Sequence, residues 1–108
     1  MANDVSDVFP DIHAKSDALA AELNRAKVDL IRTDLETAIT FATIALQAND
    51  RAKKARNTRN ARKGYDAVLH FLRSAEVDRA EGRAIAEQVD RLRALLRNLV
   101  EQSGERLR

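Results

Sequence analysis

The stretch Asp34 to Asn49, DLETAITFATIALQAN, decides the reading of this chain: it is its most apolar segment, nearly free of charge after Glu36. Leu35, Ala38, Ile39, Ala42, Ala45 and Leu46 recur at three- and four-residue steps, which is one face of an α-helix. Phe41 and Ile44 lie off that face and, with Thr37, make a second apolar strip. A helix apolar over much of its circumference belongs between neighbours rather than on a surface. It is too short, and too rich in Thr and Ala, for a bilayer span, which takes about 20 apolar residues.

Upstream, Ile12, Leu19, Leu23, Ala26 and Leu30 keep helical spacing and run in phase with Thr37, Phe41 and Ile44. Pro10 suits a first helical turn, with Asp7 or Phe9 near the cap. Thr33 and Glu36 have the form of a capping box that could start a new helix. Against a break, no Gly or Pro lies between Asp11 and Asn49. The favoured reading is one long helix, with an N-terminal arm reaching past what a three-helix core can cover. Residues 1–9, polar and acidic, are expected to be flexible.

Downstream, Asn49-Asp50 is the first turn signal, and Asp50 can cap a second helix. The apolar stripe Ala55, Thr58, Ala61, Tyr65, Val68 and Leu72 is thin in its first half. Loop or frayed helix is therefore expected before about Thr58, and firm helix after it. Asp78 and Glu81 mark a third helix start. Ile85, Val89, Leu92, Leu96 and Leu99 alternate four- and three-residue steps, a coiled-coil-like seam. Ser103-Gly104 is expected to end this helix, leaving residues 103–108 as a tail. The fold class expected is all-α: an antiparallel, up-down-up three-helix bundle over residues 10–102, with a long first helix or an extra N-terminal helical arm.

The stretch NARKGYDAVLHFL, Asn60 to Leu72, places a small residue at Ala61, an aromatic at Tyr65 and a β-branched residue at Val68. It resembles the second helix of a tetratricopeptide-type hairpin. The order of three helices also resembles the microtubule-interacting-and-trafficking type of module. Both resemblances imply a helical hairpin and peptide or protein binding, and neither carries over a binding residue.

The 108 residues suffice for one domain with a modest core. The chain has no Cys, which excludes disulfides, thiolate metal sites and a Cys nucleophile. No secretory signal is recognisable, so a cytoplasmic location is the expectation. The net charge of +2 conceals an asymmetry: residues 1–50 carry −5, residues 51–75 carry +7, and residues 76–108 are neutral.

Most of the positive charge is the run Arg51, Lys53, Lys54, Arg56, Arg59, Arg62 and Lys63, thirteen residues without an acid. Such a cluster can neutralise phosphates. Only Tyr65 lies nearby to stack on bases, and a solvated face or a contact to the acidic N-terminal half is the favoured reading of the run. His70 has a single neighbouring carboxylate, Asp66 at i−4, and His13 is distant, so no metal site is expected. Glu76, Asp78 and Glu81 read as cap and dipole partners. Ser16, Ser74 and Ser103 lack a nucleophile's setting. No catalytic set, cofactor or small-molecule substrate is expected.

The function that emerges is a non-enzymatic helical interaction or self-association module. Its interface candidates are Leu19, Leu23, Leu30, Phe41 and Ile44. Nucleic-acid or other polyanion binding through residues 51–63 is the alternative.

Overall fold

The computed structural model describes residues 10–107, and three helices account for nearly all of them: α1 Pro10–Gln47, α2 Arg51–Leu72 and α3 Arg79–Leu107. The expectations for residues 1–9 lie outside the described residues. The helix order is up-down-up. Gly64 of α2 lies against Ala38 of α1, while Asn24 meets the connection after α2 at Glu76. Those pairs run antiparallel. Arg32 lies beside Glu81, and Leu35 lies near Ile85, so α1 and α3 run parallel.

α1 is one unbroken helix of 38 residues, about 57 Å long at 1.5 Å per residue. Thr33 and Glu36 stay inside it and form no cap. Ile31, Leu35, Ala38, Ala42 and Ala45 make its fully buried face, and α2 and α3 cover that face from two sides. α2 and α3 touch each other much less than either touches α1. The core is thus a strip along α1, filled from α2 by Ala61 and Val68 and from α3 by Ile85, Val89, Leu92, Leu96 and Leu99.

Two boundaries differ from the sequence expectation. α2 is helical from Arg51, not from Thr58. Asp50 caps it, its side chain accepting from the Ala52 amide at 3.2 Å. Its thin first half is held because Lys54 and Asn57 are themselves buried. Asn57 Nδ2 donates to Lys53 O at 2.9 Å, and Thr58 Oγ1 donates to Lys54 O at 2.7 Å. These i−4 bonds satisfy the polar groups without breaking the helix. α3 continues through Ser103 and Gly104 to Leu107 instead of ending there. No described glycine takes a positive φ, so the left-handed cap expected at Gly104 does not form.

Asp78 starts α3 as expected, its Oδ1 accepting from the Glu81 amide at 2.7 Å. No helix of the described residues is long and apolar enough to cross a membrane.

Candidate functional site

α1 leaves the bundle at Asn24. There the side-chain amide is clasped to the α2–α3 connection: Nδ2 donates to Glu76 O at 2.8 Å, and the Glu76 amide donates to Oδ1 at 2.7 Å. Lys27 Nζ donates to Ser74 Oγ at 3.1 Å one turn further on. Val28 is the first buried rung. Every residue from Ile12 to Leu23 is exposed. The arm extends a helix already nucleated within the bundle, so it carries no separate nucleation cost.

The apolar strip of α1 lies about 120° around the helix from the buried face, given 100° per residue. Along it Ile12 is 52%, Leu19 56%, Leu23 57% and Leu30 41% exposed. Scattered exposed leucines are ordinary, whereas these four large apolar residues form a line along one helix face. Phe41 and Ile44 share the strip by phase but are half-buried, and Phe41 packs against the core cluster. The open part of the strip is therefore the arm and the first bundle turns, with Ile12 added to the candidates.

The basic run divides between two flanks of α2. Arg51, Lys54, Arg59 and Arg62 line a surface groove between α2 and α3, whereas Lys53, Arg56 and Lys63 do not. Arg93 and Arg97 of α3 complete the opposite wall, and the floor includes Leu96, Leu99 and Val100. One acid, Asp66, lines it.

Arg93 is held in place by Tyr65: its Nε donates to the phenol oxygen at 2.7 Å, and its guanidinium carbon lies 5.8 Å from the ring centroid. The Tyr65 hydrogen bond, before any effect of Asp90, raises the Arg93 pKa above its ordinary value. At the other end Lys54 Nζ donates to Gln102 Oε1, drawing the lysine stem between the helices.

The linear sequence concealed Arg93 and Arg97 because they belong to a different helix from the basic run. Their four-residue spacing beside Leu96 and Val100 was the available signal. Val100, which also lines the groove, is 54% exposed.

Among the described residues no group of three or more His, Asp or Glu side chains could hold a metal ion. His70 is exposed and touches Phe71 edge-on, with ring centroids 5.4 Å apart. No protein-family model matches the chain, no curated protein matches its sequence and no solved structure matches its fold.

Proposed function

We propose that the protein is a non-enzymatic helical interaction module that associates with itself through the exposed strip of α1. The observation that carries this reading is the alignment of Ile12, Leu19, Leu23 and Leu30, all large, all more than two-fifths exposed, on one face of one helix. Covering the exposed part of each contributes about 1 kcal/mol. Summed over two copies, that is comparable to the rotational and translational cost of association, about 4–15 kcal/mol. A reversible dimer is the expected result. The Leu19→Asp, Leu23→Asp double variant tests it by sedimentation equilibrium. It should be monomeric where the parent associates, with an unchanged bundle. Undiminished association would remove the strip from the interface.

A second reading is supported by the groove: Arg93 and Arg97 add a second helix's cations to those of α2. On this reading the groove takes a polyanion. Replacing Arg59, Arg62, Arg93 and Arg97 with Gln should abolish retention of a labelled oligonucleotide. Binding to the parent should fall steeply with salt as counterions are released. Salt-insensitive binding, or equal binding by the variant, would exclude it.

A further inference from the structure

We infer that the occupant of the α1 strip is the same strip of a second copy, laid antiparallel with Ile12 of each copy against Leu30 of the other. The inference rests on the self-association reading and names its geometry. Ile12, Ser16, Leu19, Leu23, Ala26 and Leu30 follow alternating four- and three-residue steps without a slip, the spacing of a coiled-coil seam. Their sizes read the same in both directions: large, small, large, large, small, large. One antiparallel register therefore stacks large on large and small on small throughout. It pairs Ile12 with the second copy's Leu30, Ser16 with its Ala26, and Leu19 with its Leu23. The overlap is about 27 Å at 1.5 Å per residue.

Charge decides the direction. Lys15, Glu22 and Asp29 recur every seven residues along one flank of the seam, and His13, Ala20, Lys27 and Asp34 along the other. Antiparallel alignment sets the first flank against itself. Lys15 then meets Asp29 of the second copy twice, with one like-charge contact where the two Glu22 side chains meet. His13 and Lys27 approach across the other flank. Parallel alignment sets one flank against the other. Its two Glu22–Lys27 contacts are opposed by two Asp29–Asp34 contacts, where like charges in register are destabilising. Antiparallel packing also opposes the helix dipoles and places the two bundles at opposite ends of the shared seam. The exposed flank residues Lys15, Glu22 and Asp29 are all available for it.

The chain has no Cys, so engineered thiols would be its only ones. Ile12→Cys and Leu30→Cys are prepared separately in the full chain, then mixed under mild oxidation. The mixture should yield a disulfide-linked heterodimer, and each variant alone almost none, since like positions lie a helix overlap apart. Dimers formed by each variant alone would show parallel pairing and overturn the proposal. A parent of dimeric mass with neither cross-link would overturn the register but leave the self-association reading. A monomeric parent would overturn both. Charge exchange gives a second test: Lys15→Glu should weaken the dimer several-fold, and adding Asp29→Lys should restore it. No recovery would remove the Lys15–Asp29 contact, and with it the direction.

Discussion

At Gly64 an added Cβ would sit 2.8 Å from the Ala38 Cβ and 3.4 Å from the Asp34 carbonyl oxygen. The first distance is shorter than two carbons tolerate, so α2 would have to retreat from α1 at their closest approach. Helix propensity favours Ala over Gly by about 1 kcal/mol, but overpacking a tight contact costs about 1–3 kcal/mol. Gly64→Ala is therefore expected to lower the urea midpoint, and Ala38→Gly to restore most of it. A stabilised Gly64→Ala would show that the helices are not in hard contact. Asn24 matters for a different reason. Its amide satisfies both the amide and the carbonyl of Glu76. Each such bond contributes about 0.5–1.5 kcal/mol. Asn24→Ala should cost about 1–2 kcal/mol by chemical denaturation. Arg32→Ala should cost little, because the Arg32–Glu81 pair is 3.7 Å apart with the arginine largely exposed.

The elements differ in how legible they were. α1 could be read as a single helix because nothing in Asp11 to Asn49 breaks it and two apolar phases run along it. Which phase faced inward was legible in Leu35, Ala38 and Ala42. That Phe41 and Ile44 would be half-covered was not, since both strips are equally apolar there. The first half of α2 was misjudged because Lys54 and Asn57 count as surface residues by type. In this fold Lys54 donates to Gln102, Asn57 donates to its own helix, and no described buried side-chain nitrogen or oxygen lacks a partner. No residue from Ile12 to Leu23 is buried. A chain beginning at Ala21 should keep the bundle's cooperative unfolding, since Val28 and everything after it remain. It should lose association. Loss of the bundle itself would mean that the arm folds onto it in solution.

On the scale of the whole molecule the chain is a rod, 80 × 26 × 18 Å, with its apolar strip at one end and its basic groove toward the other. The strip opens where α1 outruns α2 and α3. The groove lies between α2 and α3 beside Leu99 and Val100. The charge asymmetry visible along the sequence thus becomes a spatial one. Arg93 and Arg97 strengthen it from a segment that is neutral overall. A rod of these proportions migrates early on size exclusion whatever its mass, so elution volume does not report its state.

Mass by light scattering across a concentration series, repeated for the Leu19→Asp, Leu23→Asp variant, decides whether the α1 strip drives self-association. The parent should approach twice its monomer mass of 12.1 kDa as concentration rises, while the variant stays at the monomer mass. A parent that remains at the monomer mass at the highest concentration would contradict self-association through α1.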